Sequence, residues 1–270
     1  GINAEYGEIM PICRKDSSWF DAAIKGDLAF VQQNIEKYKR QYDSRQTNAS
    51  VHRGWAAIHY AAALNHKELF SFLFAQEYDL LTDQPCQIEC AFLKRAVQID
   101  GGSSVIHIAL TVNAVQIIQF IFQKWTSEPE FGDLAGCKND GGQSGLLLAP
   151  VVNTEAAMLW ATNEKVIRNE IRLCSNMEQN FVMIVAIVGR LEYAELIKDL
   201  ADKQKMLKIE GQIDKLRDVI KEQFLQQDVG GKNWKYLGEQ AVDYASYQTT
   251  QQVKQDCLLV LQSVLDQLNK

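Results

Sequence analysis

One short register recurs along this chain, and it limits the fold more than any other feature. A glycine is followed at the fourth, fifth, seventh and eleventh positions by an aliphatic residue, a histidine, an alanine and an asparagine. Gly54, Ile58, His59, Ala61 and Asn65 form one copy, and Gly102, Ile106, His107, Ala109 and Asn113 form the next. Gly142, Leu146, Ala149 and Asn153 keep the frame, with Leu147 at the histidine position. Looser copies flank these three. Trp19 to Asp27 retains Ala22, Ala23 and Gly26; Asn180 to Glu192 retains Val182, Ala186, Gly189 and Glu192; Gly238 to Ala245 is a divergent last copy. A unit of this size cannot bury its apolar face alone, so neighbouring units must stack.

Each copy reads as a helix, a tight turn and a second helix. The chain is rich in straight-chain residues that keep rotamer freedom in helices, and it holds only 4 prolines and 16 glycines in 270 residues. Gly26, Asn65, Asn113, Asn153 and Gly189 stand at the turns, where a helix end favours a left-handed residue. Ser104 and Ser144 stand where a hydroxyl can cap a helix N-terminus. Paired alanines allow close approach of adjacent helices.

The stretch Gly54-Trp-Ala-Ala-Ile-His-Tyr-Ala-Ala-Ala-Leu-Asn-His-Lys-Glu-Leu69 resembles the ankyrin-repeat pattern through Gly54, Ile58, His59, Ala61, Ala62, His66, Glu68 and Leu69. The resemblance implies an all-α chain. It would be an ankyrin-type solenoid of about five to six helix-turn-helix units with irregular finger loops and an inserted amphipathic helix. In that family the histidine equivalent to His107 knits adjacent repeats together by hydrogen bonds. The units fall near 17–50, 51–83, 101–125, 140–170, 176–202 and 234–270, behind an N-terminal cap at 1–16. Successive turn residues lie 39, 48, 40 and 36 apart, against about 33 in the family. The extra length is expected in loops, notably 84–100, and in an insertion. The segments Trp-Phe-Asp-Ala-Ala and Glu-Tyr-Asp-Leu-Leu-Thr-Asp (ending at Asp83) also resemble intracellular ankyrin proteins of parasitic protists.

The insertion, 203–227, is expected to be that helix. Met206, Ile209, Ile213, Leu216 and Ile220 alternate by three and four residues, and Gln223 takes the next position beside Phe224. It either lies against its own chain or serves self-association or partner docking. Gly211 weakens it. A last helix from Thr250 to Leu268 presents Val253, Cys257, Leu258, Leu261, Val264, Leu265 and Leu268 at helical spacing.

Motifs of chemistry are sparse. No phosphate-binding glycine loop, dinucleotide fingerprint or nucleophile elbow occurs. His52, His59 and His66 are seven apart, and Cys86 and Cys90 could be imagined with His107, but the spacings match no standard zinc pattern. Neither a metal nor a cofactor is expected. Net charge is −6, which argues against nucleic acid as a partner. The longest apolar run, Phe181 to Val188, is too short for a bilayer, and no secretory signal is visible. The 6 cysteines are scattered and suit reduced thiols, so the expected setting is cytoplasmic, with cytoskeletal or nuclear association open.

The expected function is therefore non-catalytic: a protein interaction module or scaffold that binds another protein. A structural subunit of a cytoskeletal or multi-subunit assembly is the alternative, and the regulatory part of an enzyme a third reading. In ankyrin proteins partners meet the loop tips and the concave face of the first helices. The equivalent positions give Trp55, Leu64, Ser103, Val112, Gln143, Val151 and Val152 as candidate contact residues. Their stripe is apolar, so either a helix covers it or the stack buries it.

Overall fold

The computed structural model describes residues 18–45, 54–91, 93–202, 206–209, 212–241 and 249–270. The expected N-terminal cap at 1–16, His52 and residues 242–248 of the last expected unit lie outside them. The protein is mostly helical, with two short antiparallel hairpins, and it forms two compact units.

The first unit comprises Gly1–Asp140 with Thr154–Ala156. Within it, helix α1 (18–25) and α2 (Leu28–Tyr38) form one pair. Helices α3 (Ala57–Ala63) and α4 (Lys67–Glu77) form the next, and α5 (Val105–Val112) and α6 (Val115–Ser127) a third, followed by a 3-10 turn at Pro129–Leu134. α3 packs on α5, while α2 and α6 flank α4. Phe74 and Phe131 meet edge to face at 4.9 Å, and Phe120 closes on Phe70 and Phe74 in the same way. Such pairs add about 0.5–1.5 kcal/mol each beyond their burial.

The second unit comprises Gly141–Asn153 with Ala157–Lys270. It holds α7 (Gly145–Val152), most of α8 (Glu155–Ala161), α9 (Glu164–Glu170), α10 (Phe181–Val188) and α11 (Leu191–Asp202). After a hairpin come α12 (Leu216–Leu225), α13 (Trp234–Gln240) and α14 (Gln251–Leu268). α13 lies on α10 and α14 on α11, so this pair stacks upon its predecessor.

Local chemistry explains the helix boundaries. Gly26, Asn65, Asn113, Asn153 and Gly189 all take left-handed backbone angles, with φ between 48° and 74°. Ser104 accepts from the Ile106 amide and Ser144 from the Leu147 amide; Asn180 and Thr250 cap α10 and α14 likewise. The repeated glycine has its own reason. Gly54, Gly102 and Gly142 have φ of 83°, 67° and 75°, and a Cβ there would lie within 2.5 Å of Asp83, Asp140 and Asn176 respectively. Those loops come so close because they pair by backbone. Asp83 N donates to Gly54 O, Asp140 N to Gly101 O and Asn176 N to Gly141 O.

Two expectations are corrected. The chain is mostly helical, as expected of an all-α fold, but 84–100 is not an irregular loop. It contains an antiparallel hairpin of β1 (Cys86–Cys90) and β2 (Arg95–Ile99). Cys86, Ile88 and Cys90 are buried while Gln87 and Glu89 are exposed, the period-two pattern of a half-buried strand. The insertion is also not one helix. Met206, Ile209 and Ile213 lie in β3 (Met206–Ile209) and β4 (Gln212–Lys215), and the helix begins only at Leu216. The register pairs Ile209 with Gln212. The sequence places Gly211 between the two strands, and glycine inside a helix costs about 1 kcal/mol. In α12, Leu216, Val219, Ile220, Gln223 and Phe224 are buried, with α10, α11 and α14 packed around them. Its apolar face is covered by its own chain.

Candidate functional site

The candidate contact residues divide into buried and accessible ones. Trp55, Ser103 and Val112 are at most 1% exposed, so this part of the stripe is buried by the chain itself. Each is buried for a local reason. The Trp55 ring packs against Tyr60 at 5.4 Å and against His59. Ser103 donates its hydroxyl to Asp100 O, and its amide donates to Thr82 Oγ1. Val112 ends α5, against which β2 packs, and its carbonyl accepts from the Cys90 thiol of β1. The finger hairpin thus covers a position that the repeat register alone would leave open. Leu64 is 38% exposed. Gln143, Val151 and Val152 are half-buried in the second unit.

Within the first unit the structure brings Trp55 and Leu64 to one place. Together with Ile24, Tyr60, Ala63, Ile88 and Glu89 they line a shallow cleft of about 190 Å³. Ile24 lies in the last turn of α1, Leu64 caps the end of α3, and Ile88 and Glu89 belong to β1. The hairpin half of this cleft was absent from the sequence expectations. The alternation in Cys-Gln-Ile-Glu-Cys and Arg-Ala-Val-Gln-Ile was the available signal.

The buried titratable groups are engaged in structural bonds. His59 Nδ1 accepts from the Ala56 amide and Nε2 donates to Leu80 O. Burial lowers its pKa to about 4, so the ring is neutral. His107 Nδ1 similarly accepts from the Ser104 amide. The Glu77 carboxylate accepts from the amides of Arg40 and Ile58, and its pKa is raised by burial. Glu170 accepts from the Leu146 amide and from Trp160 Nε1. Asp43 takes a short bond of 2.6 Å from the Tyr60 hydroxyl and is forked by Arg45, which also reaches Asp21. Burial and the Asp43 carboxylate raise the Tyr60 pKa.

Carbonyls at the ends of first helices are met in the same economical way by side chains from the following pair. His66 reaches Ile24 O and Thr154 reaches Leu110 O in the first unit. Tyr193 reaches Ala149 O and Lys254 reaches Ile187 O in the second. Lys254 is buried and its pKa is lowered for that reason. Burial also pushes the Cys86 and Cys257 thiols up, to about 11 and about 12, which keeps them in the unreactive thiol form. Among the described residues no group of three or more His, Cys, Asp or Glu side chains is arranged to hold a metal ion. No helix among them is long and apolar enough to cross a membrane. Compared with known proteins, the chain matches no family model and no curated protein sequence.

Proposed function

We propose that this chain is an ankyrin-type repeat protein that acts as a non-catalytic interaction module for another protein. The observation that carries the reading is the recurrence of one device. A left-handed glycine opens a unit, and the backbone of a following loop pairs beside it, at Gly54, Gly102 and Gly142. Left-handed turns between paired helices and cross-pair capping of first-helix carbonyls recur with it. Stacked units of this kind offer a rigid surface whose loops can vary without disturbing the stack. The buried histidines and acids support the same reading, because their polar atoms hold helix ends in place. The five described cysteines are free thiols, which fits a reducing cytoplasmic setting.

The accessible candidates are Leu64, Gln143, Val151 and Val152, and the test uses two of them. The wild-type chain and a Leu64→Lys/Val152→Lys variant, matched for circular dichroism, are used for affinity capture from native cell extract. Partners retained by the wild type are expected to drop about tenfold or more with the variant, the effect of losing anchor contacts of 1–2 kcal/mol. Equal recovery of every captured protein by both chains would remove these residues from the binding surface.

A further inference from the structure

The cleft beside β1 has a feature that an apolar dimple on a helix surface lacks. Successive strand residues point to opposite faces of a sheet. The cleft meets both Ile88 and Glu89, which are neighbours on β1, and no residue of β2. It therefore runs along the backbone edge of β1 and not over either face of the hairpin. On its other side β1 is paired with β2, and no third strand joins the sheet among the described residues. Every second residue of such an edge directs its N–H and C=O outward. The rest of the lining is apolar or aromatic: Ile24 of α1, Ala63 of α3 and Leu64 just after it, with Trp55 and Tyr60. Glu89 is exposed and is the one charged residue lining the cleft, on a chain of net charge −6.

The geometry points to strand addition at this edge. An extended, basic and apolar segment of a partner protein pairs its backbone with β1, places an aliphatic side chain against Ile24 and Leu64, and sets a lysine or arginine near Glu89. This inference rests on the reading of the chain as an interaction module and names the partner class. An open strand edge supplies main-chain hydrogen bonds, a pocket beside it selects alternate side chains, and opposite charge favours encounter.

The test uses the full chain and synthetic peptides, followed by amide shifts in nuclear magnetic resonance. The probe is acetyl-Lys-Val-Thr-Val-Lys-Val-Thr-amide, with an acidic counterpart carrying Glu for Lys. Two further analogues are N-methylated at odd or at even residues. The expected result is saturable binding of the basic peptide, with shifts centred on 86–90 and 61–65. One methylated analogue should bind about tenfold more weakly and the other much like the parent, because a strand pairs through alternate residues. Leu64→Lys should weaken binding about tenfold, and Glu89→Lys should reverse the preference between basic and acidic peptides.

The inference is overturned if neither charged peptide binds, if both methylated analogues bind like the parent, or if the shifts lie away from β1. Concentration-dependent dimerisation without peptide binding also overturns it, in favour of two copies pairing their β1 edges. A captured partner that the peptide cannot displace defeats this inference alone. A chain that captures nothing defeats the broader reading as well.

Discussion

Complete burial lowers the His59 pKa to about 4 from an ordinary 6.5, against the opposing effect of its bond to Leu80 O, and keeps the imidazole neutral. Between those values the unfolded chain binds a proton that the folded chain refuses. The stabilisation is therefore complete above about pH 6.5 and is lost as the pH falls towards 4. Its size is ~3 kcal/mol at most, from the separation of the two values. Urea denaturation at pH 7 and pH 4.5 should show a clear loss for the wild type. His59→Gln, already weakened at pH 7, should lose less between the two. Equal losses would place the acid sensitivity elsewhere. His59 was legible as structural because it sits in the repeat register. Glu77 and Glu170 were not, since an acid near the end of a second helix looks like any solvated face. Their amide partners lie 19 and 24 residues away in sequence.

At the scale of elements, those two acids and Gln223 form one pattern. Glu77 on α4 holds the start of α3, Glu170 on α9 holds the start of α7, and Gln223 on α12 holds the start of α10 through the Val182 amide. Gln223 also donates to Ile171 O. That explains a polar residue at a seam position whose neighbours Ile220 and Phe224 are buried. Glu170→Ala should therefore cost about 2–3 kcal/mol, because the Leu146 amide and Trp160 Nε1 each lose their acceptor. Glu170→Gln, which keeps an acceptor oxygen, should recover at least half of that in urea denaturation. A loss below about 0.5 kcal/mol for Glu170→Ala would show that other groups cap α7. Helices and turns were legible at this scale because their signals are local: a cap residue, a left-handed asparagine, an apolar periodicity. The hairpins were not. The three-and-four rhythm of Met206, Ile209 and Ile213 fits a helix on paper, and only the glycine between the two segments opposes it.

At the scale of the whole molecule, both units use the same kinds of bond between successive helix pairs, made at loop glycines and at first-helix carbonyls. A stack of that kind is stabilised mainly by nearest-neighbour interfaces, so damage at one joint should stay near it. Gly142 is a sharp probe. Its φ of 75° alone disfavours any other residue by about 1–2 kcal/mol. The Cβ of an alanine would also press on the backbone amide of Asn176, at 2.5 Å. Native-state hydrogen exchange of Gly142→Ala should show protection in α7 and α10 reduced about tenfold or more, the effect of losing 1.4 kcal/mol or more locally. Amides of α3 and α4 should stay within about twofold of the wild type. Gly54→Ala, whose Cβ meets the Asp83 side chain and backbone, should give the converse pattern, with α3 and α4 losing protection and α10 keeping it. Were both variants to lower protection uniformly through the chain, stability would be set by one global transition. The recurring glycine joints would then be conformational necessities without being energetic boundaries.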